Sequence, residues 1–290
     1  MVFYKYSFHF LILVVVGLWL AVFQLPDANF HLIACDVGEG DALLASSGSI
    51  QVLVDGGPDN KVLDCLGKYL PFWDREIELV ILTHPEKDHY GGLIEVFKRY
   101  QVDNFMFNPL AVSSSDYQVL EKEVGGRGVK SIYPKEGMEV RVGKIYLDIL
   151  SPSGTLLTDN LKLKTDEPNK FSIVTLLAYG QFRALLTGDM PPEVSDRLAE
   201  RLALSAKHEW DYLKVPHHGS KNGLTQKLLD AVRPKVAVIS VGKNSYGHPH
   251  EEILKMLKDK NIKILRTDEI GDVEIESDGT KYYLPTYGAL

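Results

Sequence analysis

The 290-residue sequence contains only two cysteines, Cys35 and Cys65, and no C-x-x-C pair. Thiolate zinc clusters and dithiol redox motifs of that type are therefore excluded. Cys35 lies in a predicted strand and Cys65 in a predicted helix. We interpret them as two buried free thiols, because free cysteine packs as a small apolar residue. A disulfide is the alternative if the chain works outside the cytoplasm.

The sequence also lacks an excess of positive charge. Its formal net charge is −7 at pH 7, whereas most proteins that hold duplex DNA by its phosphates carry a basic surface. A nucleic-acid substrate would therefore need local positive charge. Metal ions could supply it, as could lysines such as Lys214 and Lys221.

No Pro/Gly/Ser-rich linker, composition shift or internal repeat divides the chain. Its hydrophobic content of 45% is ample for one large core. We therefore expect one domain over residues 27–290. Residues 1–26 are set apart because they contain the long apolar run Phe8–Phe23.

The apolar run predicts a membrane anchor. Counted from Ser7 to Leu25, it has about the length that spans a hydrocarbon core as a helix. No small-x-small cleavage site precedes Asp27, which favours an uncleaved anchor over a signal peptide. Lys5 lies on its amino-terminal side, so the positive-inside rule predicts a cytoplasmic amino end. We expect a single-pass membrane protein with its main domain outside the cytoplasm.

A dense set of candidate ligands follows the apolar run Leu79–Leu82. The next residues include His84, Glu86, Asp88 and His89, four such groups within six residues. Neutral imidazole and carboxylate are the ligands of zinc-like and manganese-like ions. The alternative is a polar loop in which Asp88 is the N-cap of a helix.

Three later apolar strands also end at candidate ligands, in the loops where sheet-based sites collect their functional groups. The strands are Ala184–Leu186, followed by Asp189; Tyr212–Val215, followed by His217 and His218; and Val236–Val241, followed by His248 and His250. Four such strand ends indicate a metal site assembled from distant segments. For a single histidine, the alternative is a packed or solvated side chain.

The order of predicted elements indicates an α/β fold. Three short strands open the domain as an antiparallel meander, with Asp36, Asp41 and Asp55 at strand ends. Strands and helices then alternate, whereas Ser151–Lys170 lacks periodicity and predicts a mobile loop beside the site. This order fits two mixed sheets packed face to face with helices outside, an αββα sandwich.

Six motifs resemble the metallo-β-lactamase superfamily and, within it, the hydrolase domain of ComEC-type DNA-uptake proteins. They are D-V-G-E-G-D at Asp36–Asp41, V-D-G-G at Val54–Gly57, T-H-P-E-K-D-H at Thr83–His89, L-T-G-D at Leu186–Asp189, V-P-H-H-G-S at Val215–Ser220 and Y-G-H-P-H at Tyr246–His250. The resemblance covers about Phe30 to Leu284. It implies the αββα fold, a two-site divalent metal centre and hydrolase activity.

The resemblance also implies a ligand set. Asp88, His89 and Asp189, with one of three later histidines, would form one metal site, and Asp189 would bridge to a second site at His84. The superfamily's strand–Pro–x–His–Gly ending favours His218 as the last ligand. Counting from the Asp as in some members favours His248, which leaves His217 or His218 as proton donor. Asp55 would brace the ligand turn.

The chain departs from the superfamily pattern at the site around His84. Glu86 replaces the second histidine, and no histidine lies between His89 and Asp189. Asn169 and Ser172 occupy that region, as in the ComEC-like group. Loss of nitrogen ligands favours manganese or magnesium over zinc, so we expect Mn or Zn with a preference for Mn. Glu39 is a further departure, because the family commonly has Gln there.

The resemblance implies a phosphodiesterase or nuclease that acts on single-stranded DNA, with a DNA-uptake channel as a partner. The catalytic residues would be Asp88, His217 and Lys221. A hydrolase of esters, lactones or β-lactams is the alternative, because fold does not fix substrate. A non-catalytic binding module with an empty altered site is the alternative of another class, and the intact Asp88, His89 and Asp189 argue against it.

Overall fold

The computed structural model describes residues 2–23, 26–153, 163–204 and 210–285. The helices there are α1 (Val2–Phe23), α2 (Lys61–Tyr69), α3 (Lys87–Tyr90), α4 (Leu93–Arg99), α5 (Ser115–Gly126), α6 (Pro192–Leu204), α7 (Gln226–Val232), α8 (Glu251–Asp259) and α9 (Thr267–Ile270). Single turns of 3-10 helix occur at Pro168–Phe171 and Pro216–Gly219. The strands are β1 (Phe30–Ala34), β2 (Leu43–Ser47), β3 (Ile50–Val54), β4 (Glu76–Leu82), β5 (Gln101–Phe107), β6 (Lys130–Ile132), β7 (Glu139–Val142), β8 (Ile145–Ser151), β9 (Val174–Tyr179), β10 (Phe182–Leu186), β11 (Tyr212–Lys214), β12 (Val236–Ile239), β13 (Lys263–Arg266), β14 (Val273–Ser277) and β15 (Tyr282–Tyr283).

In the described residues these strands form two mixed sheets. The order in one is β15-β14-β1-β2-β3-β4-β5-β6, and in the other β13-β12-β11-β10-β9-β8-β7. Strands β3 to β6 are parallel in the first sheet, and β10 to β13 are parallel in the second. Parallel neighbours end at the same edge of a sheet. The loops after β10, β11 and β12 therefore share one edge.

The main core lies between the two sheets. Leu32 and Ile81 of the first sheet pack in one cluster with Leu186 and Val238 of the second. A second cluster joins the first sheet to α2, α4 and α5, and a third joins the second sheet to α6, α7 and α8. Helices outside two facing sheets confirm the predicted αββα architecture.

One strand of this architecture escaped the prediction. Strand β7 pairs with β8 as an antiparallel hairpin, although its charged residues Glu139 and Arg141 hide the pattern of a strand. The predicted loop Ser151–Lys170 falls partly at 154–162, outside the described residues. Its remainder is partly ordered, because Leu163 forms a bridge with Leu110 and a 3-10 turn begins at Pro168.

The predicted anchor at residues 1–26 is not supported. Helix α1 covers Val2–Phe23. Searched over the residues that the structure describes, the chain contains no helix with the length and apolar character needed to cross a membrane.

The interpretation of the cysteines as free thiols is wrong. Cys35 and Cys65 form a disulfide with 5.8 Å between their Cα atoms, a separation that suits such a bond. Cys35 directly follows β1, and Cys65 lies on the face of α2 that packs against the first sheet. The pairing depends on helix-on-sheet packing that links residues 30 positions apart.

Candidate metal centre

The turn after β4 carries four candidate ligands that differ in burial. His84 and His89 are completely buried, whereas the side chain of Asp88 is 32% exposed and that of Glu86 is 41% exposed. Asp88 lies inside helix α3 and does not cap it, since the N-cap position belongs to Glu86. Helix capping therefore does not account for this set of residues.

Asp55 orients both buried histidines of the turn. Its Oδ1 accepts a hydrogen bond from the backbone N–H of Thr83 at 2.7 Å, and its Oδ2 accepts from Thr83 Oγ1 at 2.7 Å and from His89 Nδ1 at 2.8 Å. Because the Thr83 hydroxyl donates to Asp55, its oxygen can accept from His84 Nδ1, 3.1 Å away. Both histidines thereby keep Nε2 as an acceptor, the arrangement that metal-binding histidines require.

The second sheet delivers Asp189 directly after β10. Thr187 Oγ1 donates to the carbonyl of Lys214 at 2.9 Å and ties this loop to β11. The intervening Gly188 has φ of +52°, and a Cβ there would lie 2.9 Å from the Cβ of Thr83. Glycine thus lets the Asp189 loop approach the ligand turn of the other sheet.

His218 completes the group from the turn after β11. Its Nδ1 donates to the carbonyl of Ser240 at 2.9 Å, so its Nε2 is also left as an acceptor. Asp189 Oδ2 lies 3.4 Å from the Nε2 atoms of both His89 and His218. Asp88 Oδ2 lies 3.5 Å from His218 Nε2 and 4.0 Å from His89 Nε2.

These four residues fit a divalent metal ion. One ligand atom each from Asp88, His89, Asp189 and His218 lies within 4.8 Å of the others. The Nε2 atoms of both histidines and Oδ1 of Asp189 are buried without a hydrogen-bond partner in the described part of the chain. Each such orphan costs about 1–3 kcal/mol, a cost that coordination would remove. Two imidazoles and two carboxylates suit zinc-like or manganese-like ions.

The charges of the cluster reinforce one another. Burial alone would raise the pKa of Asp189, but the neighbouring His218 and His89 outweigh burial and hold that pKa well below its usual value. Burial would lower the pKa of each imidazole, but Asp189 and a second carboxylate raise it well above the usual value. A buried carboxylate that stays ionised attracts positive charge, and a metal ion would displace the protons from both rings.

Comparison with known proteins agrees with this geometry. The family model described as "Metallo-beta-lactamase superfamily" matches residues 36–243, which contain the whole cluster. The chain belongs to the metallo-beta-lactamase superfamily. This is a superfamily of metal-dependent hydrolases, and the cluster lies within the matched residues.

Three curated bacterial proteins are similar to this chain. The chain is 28% identical to "ComE operon protein 3" of Bacillus subtilis over 69% of its length, and 28% identical to "Recombination protein 2" of Haemophilus influenzae over 87%. It is 23% identical to "Competence protein ComA" of Neisseria gonorrhoeae over 86%. The matches cover 24%, 29% and 32% of those proteins, so the chain spans about a quarter to a third of their length. The predicted resemblance to this group is confirmed.

Two solved structures share the fold. YhfI from Bacillus subtilis superimposes with a TM-score of 0.56 at 14% identity, covering 84% of this chain and 99% of YhfI. CmlA, a diiron beta-hydroxylase from Streptomyces venezuelae, gives a TM-score of 0.55 at 15% identity, covering 86% of this chain and 54% of CmlA. At these identities the similarity concerns the fold alone.

A buried ion pair lies next to His218 of the candidate metal centre. Lys214 is completely buried, and its Nζ lies 2.5 Å from Asp41 Oδ2. Asp41 Oδ1 in turn lies 3.4 Å from His218 Nδ1. Burial raises the pKa of Asp41, but Lys214 and His218 outweigh burial and lower it overall. The expectation that Lys214 contacts nucleic acid is therefore wrong, because its ammonium group is buried and forms an ion pair with Asp41 inside the fold.

Asp41 belongs to a second group that could in principle hold a metal, together with Asp55 and His89. This group fits an ion less well. His89 Nδ1 already donates to Asp55, and the ammonium of Lys214 already neutralises Asp41. We therefore regard Asp41 and Asp55 as residues that position the ligands. The sequence signal for Asp41 was its place in D-V-G-E-G-D, but its lysine partner had no signal.

His248 lies beside the cluster and outside it. Its Nδ1 donates to Glu39 Oε1 at 2.9 Å, while Glu39 Oε2 accepts from the backbone N–H of Gly242 at 3.1 Å. The centroid of its ring is 6.5 Å from that of His218. The departure at Glu39 therefore has a structural role, since this carboxylate fixes the orientation of His248.

His217 and Lys221 lie further towards the surface. The side chain of His217 is 27% exposed, and its Nε2 is 3.8 Å from Asp189 Oδ2. Lys221 is exposed three residues after His218. The structure thus brings His217 to the rim of the cluster and leaves Lys221 in the adjoining loop.

The oxygen-rich second site expected around His84 stays a prediction, and four groups are candidates for it. His84 Nε2 is buried without a hydrogen-bond partner in the described residues and lies 3.7 Å from Glu86 Oε2. The N–H of Ile173 donates to the carbonyl of Thr83 at 2.9 Å, which brings the neighbouring Ser172 to the ligand turn. The hydroxyl of Ser172 and Oδ1 of Asn169 are likewise buried and unpaired among the described residues. Which of these oxygens holds a second ion stays a prediction.

Proposed function

We propose that this chain is a metal-dependent phosphodiesterase that cleaves single-stranded DNA. The observation that carries the proposal is the convergence of Asp88, His89, Asp189 and His218, whose ligand atoms lie within 4.8 Å of one another. The names of two relatives refer to recombination and competence, which supports DNA as the substrate.

The roles of the residues follow from their positions. When bound, a divalent ion would supply Lewis-acid activation of water and of the phosphodiester. Asp88, His89, Asp189 and His218 would hold one ion, and His84 with Glu86 would hold a second that shares Asp189.

Proton transfer is assigned to His217. Burial lowers the pKa of this imidazole below its usual value, which favours the neutral ring, and a neutral Nε2 can accept a proton. Its partial exposure lets it reach a substrate at the rim of the cluster. Asp88 is the more exposed of the two carboxylates in the cluster, and it is the second candidate for that role.

Two lysines near the centre can meet the phosphates of a strand. Lys221 follows the His217–His218 turn, and Lys243 lies in the loop after β12. Both are exposed, and neither forms an ion pair with a carboxylate in the described part of the chain. With a net charge of −7, the chain depends on such local charges to hold a polyanion.

The test combines metal analysis with a nuclease assay. Wild-type protein and the variant Asp189→Ala are incubated with Mn²⁺ and a labelled single-stranded oligonucleotide, and bound metal is measured by mass spectrometry. We expect wild-type cleavage, and loss of both cleavage and bound metal in the variant. Cleavage by the variant at the wild-type rate would refute the assignment of the centre. Wild-type turnover of a lactone or ester panel without any cleavage of DNA would refute the substrate.

We further propose that the domain works outside the cytoplasm. The disulfide between Cys35 and Cys65 supports this proposal, because such bonds persist in oxidising compartments and are rare in the cytosol. Alkylation of thiols in intact cells, before and after reduction, tests it. Recovery of both cysteines as free thiols before reduction would refute the proposal.

A further inference from the structure

An exposed aromatic ring lies beside the metal centre. Tyr246 is 71% exposed, more than any other exposed aromatic side chain after residue 26 in the described part of the chain. Its ring stacks on that of His248, with 5.5 Å between centroids and 27° between planes. The His248 ring is in turn 5.8 Å from that of His217 and 6.5 Å from that of His218. Three rings thus lead from the surface to a proposed metal ligand.

The loop that carries this ring is braced by side-chain hydrogen bonds. Asn244 Oδ1 accepts from the backbone N–H groups of Tyr246 and His248, both at 3.0 Å. Asn244 Nδ2 donates to the carbonyls of Gly242 and His248, both at 2.9 Å. Glu39 fixes the His248 ring on which the tyrosine stacks. A ring held in this way loses little conformational entropy when a second ring stacks on it.

We propose that Tyr246 is a stacking platform for a nucleobase next to the scissile phosphodiester, so that the centre selects unpaired strands; this inference rests on the proposed function. His248 covers one face of the tyrosine ring, and the exposed side is available to a base. Bases in a duplex already stack on their neighbours, whereas unpaired bases can stack on protein aromatics. The exposed Lys243 lies three residues before Tyr246 and can meet the phosphate that adjoins such a base.

The test compares two single-stranded substrates of equal length and charge. One is an oligodeoxythymidine, and the other carries tetrahydrofuran abasic sites in place of the bases. Cleavage kinetics with Mn²⁺ are measured for the wild-type chain and for Tyr246→Ala, Tyr246→Phe and Tyr146→Ala. Tyr146 is a matched control because it is 45% exposed. It also lies far from the metal centre. Tyr146 pairs with Ala178, which pairs with the start of β10, whereas the metal centre follows the end of β10.

The wild-type chain should have the lower KM for the substrate with bases. Loss of one stacking ring should raise that KM by roughly five- to hundredfold in Tyr246→Ala, so that its preference over the abasic substrate collapses. Tyr246→Phe should retain the preference, because the aromatic face remains, and Tyr146→Ala should behave as wild type.

The possible outcomes separate this inference from the proposed function. An unchanged preference in Tyr246→Ala, or an equal loss on both substrates, would overturn the stacking role while leaving the nuclease proposal intact. Equal KM values of the wild-type chain for the two substrates would have the same meaning. Failure of the wild-type chain to cleave either substrate would reject the proposed function and this inference together.

Discussion

The substitution Asp55→Asn tests how the ligand turn works, because it removes a charge while keeping the size of the side chain. In the wild-type chain this carboxylate accepts three hydrogen bonds. They come from the backbone N–H of Thr83, the hydroxyl of Thr83 and His89 Nδ1. An amide has one acceptor and one donor end. Whichever way it turns, its NH₂ group faces a donor that it cannot pair with.

The two orientations have different consequences. If the NH₂ group faces the backbone N–H of Thr83, the turn loses one buried hydrogen bond, at a cost of about 1–3 kcal/mol of unfolding free energy. If it faces His89 Nδ1, the imidazole must move its proton to Nε2, which removes the lone pair that a metal needs. Loss of such an outer hydrogen bond typically weakens metal affinity by about 10- to 100-fold, which corresponds to about 1.4–2.7 kcal/mol.

Metal affinity is measured by competition with a chromophoric chelator, and the tautomer of His89 by ¹⁵N NMR of the imidazole. Thr83→Ser is the control, because it keeps the hydroxyl that bridges Asp55 and His84. We expect weaker affinity and a shifted tautomer population in Asp55→Asn. Wild-type affinity in that variant, within about twofold, would show that the histidines are oriented by packing alone and would refute this reasoning.

Three further predictions concern metal choice, buried charge and pH. Wild-type activity should be higher with Mn²⁺ than with Zn²⁺. Glu86→His should shift this preference towards zinc, since imidazole adds a nitrogen ligand beside His84. An unchanged metal preference in titrations of activity would place Glu86 outside the ligand set. Lys214→Met should lower the unfolding free energy by about 3–5 kcal/mol in denaturant titrations, because it leaves the buried Asp41 carboxylate without its ammonium partner. The exposed Lys221→Ala should change it by about 0.5 kcal/mol or less. Hydrogen bonding to Glu274 raises the pKa of His31 to about 9, against burial and with help from Asp27. Its stabilising effect should therefore be complete below about pH 6.5 and lost as pH rises through 9. The shift corresponds to about 3.4 kcal/mol, which solvent screening at the exposed Asp27 reduces to about 2–3 kcal/mol relative to His31→Gln. Parallel pH profiles of the two proteins would contradict this prediction.

The convergence of the four candidate ligands could be predicted from sequence for a physical reason. Imidazoles and carboxylates at the ends of apolar strands are conspicuous, and parallel strands bring such ends to a common edge. Asp189 and His218 therefore had a signal in the sequence, and the structure brings them together with Asp88 and His89.

The supporting contacts had no comparable signal. The pairing of Asp41 with Lys214 joins two sheets across 173 positions, and the disulfide joins β1 to α2; both depend on packing distances that local pattern does not encode. Lys214 looked like a surface lysine because its neighbours in sequence do not reveal burial on both faces of a central strand. The alternating apolar residues of β8 mark it as a strand, whereas the charged residues of its partner β7 conceal the pattern of a strand.

The choice between His217 and His218 shows most clearly why direction is harder to predict than position. Both residues have left-handed backbone angles, with φ of 50° and 51°, a conformation that costs energy in residues other than glycine and that tends to persist at functional sites. Two such residues in succession turn the chain sharply, so that the adjacent rings lie 86° apart. One ring then enters the metal cluster and the other stays at its rim. A candidate ligand and a candidate proton carrier therefore occupy neighbouring positions in the chain, and the backbone, more than the residue type, separates the two side chains.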